Sequence, residues 1–134
     1  MIEAIVDANA VLRFLTHDIP EQSDKFKARL KQIQDKKLKL YLYPITIVEI
    51  VFHLQKTYKL SRETASTILI KFIKESGVLT QNSKLVIQSL KMFPSTRIDF
   101  VDIYLAYLAV DEKKQVLSFD RDFDKLGKSV RLEP

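Results

Sequence analysis

The chain of 134 residues is 46% apolar and 29% charged with two Gly and four Pro, which predicts one compact soluble domain and excludes a disordered or low-complexity tail. It has no Cys and only two His, so disulfide frameworks, thiolate zinc sites, iron–sulfur clusters and cysteine nucleophiles are excluded, and oxygen ligands are the main resource for metal chemistry. The net charge of +5 is uneven: residues 1–24 sum to −4, residues 25–97 to +11 and residues 98–134 to −2. A fold that brings the two ends together would set an acidic centre in a basic surround, able to hold a cation and steer a polyanion to it. Taken alone, the basic residues between Lys25 and Lys39 read as the solvated face of a helix and its exit loop. No apolar run reaches the roughly 18 to 20 residues of a membrane span and the first residues carry no basic n-region, so the expected location is cytoplasmic, with no membrane partner.

In chain order, residues 2–6 predict a short strand, and Asp7-Ala-Asn-Ala a turn into a helix over about 9–16. Pro20 opens an amphipathic helix with Phe26, Leu30 and Ile33 on one face, ending near Lys36-Lys37. Residues 38–43 alternate as a strand does, and Pro44 stands where a helix can start, so a buried helix is expected over 45–57. Ser61 caps a further helix that stops at Gly77. A short strand over 78–80 precedes a helix that begins at Asn82 or Ser83 and ends at Pro94, and the most apolar helix covers 98–111. A strand over 115–119, a turn with a short helix over 120–126 and a last strand over 129–132 complete the chain. The alternation predicts an α/β fold with a largely parallel sheet covered by helices, with no repeat and no linker.

Four acids stand where an acid is costly. Asp7 and Asp120 each end an apolar strand, and ligands of open α/β sheets bind beyond the carboxyl ends of the strands. Glu49 lies in Ile45-Thr-Ile-Val-Glu-Ile-Val-Phe, read as apolar all round, so its charge must face a partner or a cavity. Asp102 is placed likewise in its own helix, and Asp99, three residues earlier, shares its face. Gathered carboxylates repel unless cations intervene, and an all-oxygen set suits Mg²⁺ or Mn²⁺ rather than zinc. Such a site polarises a phosphate and activates a water for in-line displacement at a phosphodiester. Asp7, Asp102 and Asp120 are the expected metal ligands, and Glu49 is expected to bind through water or to orient the nucleophile. Asp99 and Asp122 are auxiliary, and Asn9 and Ser118 suit hydrogen bonds that fix the carboxylates.

These residues carry a resemblance. Asp7-Ala-Asn-Ala-Val-Leu-Arg-Phe-Leu, Val48-Glu49-Ile50, Asp99-Phe-Val-Asp102-Ile-Tyr-Leu-Ala and Leu117-Ser-Phe-Asp120-Arg-Asp-Phe resemble, in order and rough spacing, the four acidic motifs of the PIN-domain family. Within it the chain looks like the small VapC-type toxins of prokaryotic toxin–antitoxin pairs, which are Mg²⁺- or Mn²⁺-dependent endoribonucleases. The resemblance implies a single PIN-like domain over residues 1–134, a three-layer α/β/α fold with a central, mostly parallel sheet, and a catalytic quartet of Asp7, Glu49, Asp102 and Asp120. It also implies an RNA substrate, a homodimer and a cognate antitoxin whose tail reaches the active site. Ser118 stands where Thr is usual before the last aspartate, a change that keeps the hydroxyl.

Other readings are set against this one. His17 and His53 are too far apart in sequence to pair as metal ligands and are given no role. Tyr41, Tyr43, Tyr104 and Tyr107 are candidates for stacking on unpaired bases, though core or interface is the expected place for most of them. The helix around Tyr104-Leu-Ala-Tyr-Leu-Ala is apolar on enough faces to serve a subunit interface. An RNA maturation or decay nuclease without an antitoxin is the alternative within enzymes, and a non-catalytic RNA-binding module the alternative outside them. A haloacid dehalogenase phosphatase would carry a second Asp two residues after the first, and here Asn9 stands there.

Overall fold

A computed structural model describes all residues, 1–134, and no helix in it is long and apolar enough to cross a membrane. The backbone divides into two compact units, Met1–Ser83 and Lys84–Pro134. Each has its own parallel ladder, so the α/β class stands while the hydrogen-bonded sheet is in two pieces.

The first unit contains β1 (Ile2–Ile5), α1 (Ala8–Thr16), α2 (Pro20–Gln34), β2 (Leu38–Leu42), α3 (Pro44–Lys56), α4 (Arg62–Glu75) and β3 (Leu79–Thr80). The strands lie in the order β1-β2-β3, all parallel, with Ile2 opposite Leu38 and Tyr41 opposite both Ile5 and Leu79. Parallel strands need crossovers, and α1–α2 and α3–α4 supply them. Pro20 and Pro44 both occupy the first helical turn, where a missing N–H costs nothing. The Ser61 hydroxyl accepts from the Thr64 N–H and caps α4. Phe14, Phe26 and Phe72 meet with ring centroids 5.3 to 6.2 Å apart, beside fully buried Val11, Leu42, Ile50, Leu54 and Leu69. Each such side chain contributes about 1.5 to 3 kcal/mol by leaving water.

α3 departs from expectation. It buries Ile47, Ile50, Val51 and Leu54 but exposes Ile45, Glu49 and Phe52, which fall at i, i+4 and i+7 and so form one stripe. The segment is apolar on most of its circumference yet only one face is covered.

The second unit opens with α5 (Ser83–Met92), of which only Ser83 belongs to the first unit. It holds a 3-10 turn at Phe93–Ser95, α6 (Phe100–Asp111), β4 (Val116–Leu117), a 3-10 segment at Arg121–Leu126 and β5 (Arg131–Leu132). β4 and β5 pair in parallel, Val116 opposite Arg131. Ala106, Phe123 and Val130 form a small core with Val116 and Leu126 against it. Phe93 and Phe100 meet edge to face at 5.9 Å.

Helix ends show a shared device. His17, Lys36, Lys59 and Lys113, which follow α1, α2, α3 and α6, all have φ between 54° and 58°, and Asn82 before α5 has φ 53°. Gly77, the expected stop of α4, has φ 82°.

Candidate functional site

In the first unit the parallel register brings the exits of β1 and β2 to one sheet edge. The Val6 N–H extends the β1–β2 ladder by donating to the Tyr41 carbonyl, and Asp7 follows immediately. Asp7 is the N-cap of α1: its Oδ1 accepts from the Ala10 N–H at 2.9 Å, leaving Oδ2 free of protein partners. An Asp at this place is favoured twice, by the orphan N–H groups and by the helix dipole. Glu49 rides the second turn of α3, which starts at the same edge, and its side chain is 61% exposed with His53 Nε2 4.0 Å away. The expectation that its charge faces a cavity is therefore corrected: Glu49 faces solvent, and burial does not make it costly. Asn9 sits in the first turn of α1 and lines a cleft with Arg13.

In the second unit the acids gather. Asp99 is the N-cap residue of α6 without a side-chain bond to it, and its carbonyl accepts from the Asp102 and Ile103 N–H groups. Asp102 stands in the first turn, and burial, then the charges of Asp99, Asp120 and Asp122, push its carboxyl above the ordinary value of 3.8. Asp120 caps the 3-10 segment, its Oδ1 accepting from the Asp122 N–H at 2.9 Å. The Ser118 hydroxyl accepts from the Asp120 N–H at 2.9 Å, so it fixes the backbone at Asp120 rather than the carboxylate. Asp122 accepts from the Lys125 ammonium at 3.0 Å.

The arrangement is an acidic patch in which Asp102 is disfavoured as an anion by burial and by the charges of Asp99, Asp120 and Asp122. A cation bound beside it would offset that effect. The donors are carboxylates throughout, which suits a hard divalent ion. They are not drawn together into a cage, since no three acidic or histidine side chains converge to ligating distance. The donor chemistry fits such an ion, and the side chains would have to close on it.

The model of the PIN domain matches residues 4–129 of the chain. The chain belongs to the PIN-domain family. The three-layer α/β/α class follows, and the two parallel ladders with their helices agree with it. This PIN domain is similar to a VapC ribonuclease of Aquifex aeolicus (strain VF5), with 23% identity over 124 residues that cover 92% of this chain and 91% of the relative. No solved structure matches the chain.

Two organising residues of this PIN domain escaped sequence reasoning. Arg131 of β5, its side chain 8% exposed, donates Nη1 to the Ser118 carbonyl at 3.0 Å and forks onto Asp124 through Nε and Nη2 at 3.1 and 3.3 Å, with Glu133 also in contact. It ties down both sides of the loop that carries Asp120. Arg13 does the same in the first unit, where Nε donates to Gln22 at 3.0 Å and Nη1 to Asp18 and Tyr58 at 3.2 and 2.9 Å. The available signal was an Arg embedded between apolar residues in each case, Val11-Leu12-Arg13-Phe14 and Val130-Arg131-Leu132. His17, given no metal role, ends α1 with Nδ1 2.8 Å from the Ser23 hydroxyl.

Proposed function

We propose that this PIN domain, taken as one domain over residues 1–134, is a divalent-metal-dependent endoribonuclease and the toxin of a toxin–antitoxin pair. The observation that carries the reading is the gathering of Asp99, Asp102, Asp120 and Asp122 in the second unit, where Asp102 is half-buried and its carboxyl is raised first by burial and then by the three neighbouring charges. Family membership and the likeness to a VapC ribonuclease support it. Asp7, Asp102 and Asp120 would hold Mg²⁺ or Mn²⁺, with Glu49 joining them or orienting the attacking water. When bound, the ion supplies charge neutralisation and polarisation of the phosphodiester.

The chain's own residues contribute the rest. Asp7 and Asp120 each commit one carboxylate oxygen to a backbone cap, which presets the direction of the other. Ser118 and Arg131 hold the Asp120 loop in register. Glu49, exposed and without a strong partner, is free to accept a proton from the attacking water. In-line displacement leaves a 5′-phosphate and a 3′-hydroxyl. Homodimerisation and antitoxin binding belong to the same proposal, and apolar residues left exposed on α3 (Ile45, Phe52) and on α6 (Val101, Leu105, Val110) are available for them.

The test is cleavage of total cellular RNA by the purified protein with Mg²⁺ or Mn²⁺, beside an EDTA control and the Asp7→Asn variant. Discrete fragments lost in both controls are expected. Absence of cleavage with either metal would favour the non-catalytic RNA-binding reading.

A further inference from the structure

The first unit carries a charged feature that the acidic residues do not account for. α1 and α2 flank an open cleft of about 470 Å³ lined by Asn9, Arg13, Gln22, Lys25, Phe26 and Arg29, with three cations and no acid among them. The spacing explains how it forms. Asn9 and Arg13 lie four apart on α1, and Gln22, Lys25, Phe26 and Arg29 recur at three and four on α2, so each set shares a face. Phe26 is buried against Phe14 at 5.3 Å and gives the cleft an apolar floor, while the basic groups stand at its sides.

The three cations are not equivalent. Arg13 is 26% exposed and immobilised through Nε and Nη1 by Gln22, Asp18 and Tyr58, which leaves Nη2 unbonded. A guanidinium fixed in this way loses little freedom on meeting an anion. Lys25 and Arg29, one turn apart, are exposed and held only by surface contacts with Glu21 and Gln32. Such contacts contribute little and exchange readily for a phosphate. The cleft starts in the first turn of the helix that Asp7 caps, so a chain lying in it reaches the terminus where that carboxylate stands.

We propose that the α1–α2 cleft binds the sugar–phosphate backbone of single-stranded RNA, with Arg13 as a preset phosphate donor through Nη2 and Lys25 and Arg29 as the cations that set affinity. The proposal rests on the ribonuclease reading and gives it a substrate path. Contacts of this kind position the strand without reading its bases, so the cleft contributes affinity rather than sequence preference.

The test is fluorescence anisotropy of a labelled short single-stranded RNA against the full chain in EDTA across a salt series. Lys25→Gln/Arg29→Gln is compared with Lys27→Gln/Lys31→Gln, a pair on the same helix outside the cleft with the same loss of charge. Removing two phosphate contacts should weaken binding about tenfold and flatten the slope of log K against log salt by roughly 1.4, with the control pair near wild type. Equal loss in both pairs, no loss in the cleft pair, or no binding by the wild type would each overturn the proposal. Tighter binding of polyglutamate than of RNA would overturn it in favour of an acidic polypeptide. Cleavage with Mn²⁺ is scored separately. A wild type that binds through the cleft but never cuts defeats the nuclease reading alone, and cleft variants that bind and cut normally defeat the cleft alone.

Discussion

Tyr58 and Asp18, forty residues apart in the chain, share a 2.8 Å hydrogen bond from the phenol to Oδ2, and the Arg13 guanidinium donates to both. The phenol above all, with lesser help from the Thr16 hydroxyl and from Arg13, holds the Asp18 carboxyl below its ordinary value of 3.8 against the opposing effect of burial. A depressed folded value means stability that is present above the unfolded value and lost as pH falls through the folded one. Tyr58→Phe removes the largest of these causes, so its melting temperature should fall by a few degrees at neutral pH, and the gap to wild type should close as pH falls through the folded Asp18 value, because the variant has less of this stability to lose. Thermal melts carried from neutral pH down into the acid range, for both proteins, check this.

Asp102 has the opposite sign. Its folded value is raised, by burial first and then by Asp99, Asp120 and Asp122, so ionised Asp102 opposes folding near neutral pH, and that opposition fades as pH falls through the raised value. In EDTA, Asp102→Asn should melt a few degrees higher than wild type at neutral pH and match it in acid. The same variant should lose the stabilisation that Mn²⁺ gives the wild type, and its RNA cleavage should fall by about two orders of magnitude or more. An Asn variant less stable than wild type in EDTA at neutral pH would contradict the electrostatic reading of the acidic patch.

Asp7 is both cap and proposed ligand, and two substitutions separate the roles. Asn is as good an N-cap as Asp, so Asp7→Asn should lose cleavage and keep its stability, whereas Asp7→Ala should lose cleavage and about 1 kcal/mol as well. Urea titrations of the two variants, run beside cleavage assays, measure the difference.

Arg131 should matter for the Asp120 loop out of proportion to its place in a two-residue strand. Arg131→Lys keeps the charge but not the fork onto Asp124 and the Ser118 carbonyl, so it should lower the melting temperature by several degrees and speed amide exchange at Asp120 and Asp122. Protection unchanged at those amides would show that the loop holds itself.

Much of the fold was legible because local signals and tertiary structure agree. Pro20, Pro44, Ser61 and Gly77 mark helix boundaries by mechanisms that operate within one turn, and the apolar faces of α2, α4 and α5 follow the helical period. Asp99 and Asp102 do share the start of a helix, while Asp7 and Asp120 stand two and three residues past the ends of β1 and β4, where each caps the helical segment that follows. Burial was not legible. Glu49 sits in an apolar run, yet periodicity cannot tell a covered face from an uncovered one, and α3 leaves Ile45 and Phe52 in water beside it. Strand length was overstated for residues 115–119 because Phe119 reads as strand and is 80% exposed past the ladder. The Arg13 and Arg131 networks join residues distant in sequence, and nothing local announces such partners.

The helix ends closed by His17, Lys36, Lys59 and Lys113 carry a latent margin of robustness. An L-residue with a side chain held in left-handed geometry costs on the order of 1 to 2 kcal/mol, which glycine escapes at the expense of a looser unfolded chain. Four exits of this kind, set against the lone glycine exit at Gly77, mean that the fold tolerates a distributed debt at its corners. Engineering for longevity can begin there, at the exposed Lys36, Lys59 and Lys113, without touching a residue that the proposed chemistry needs.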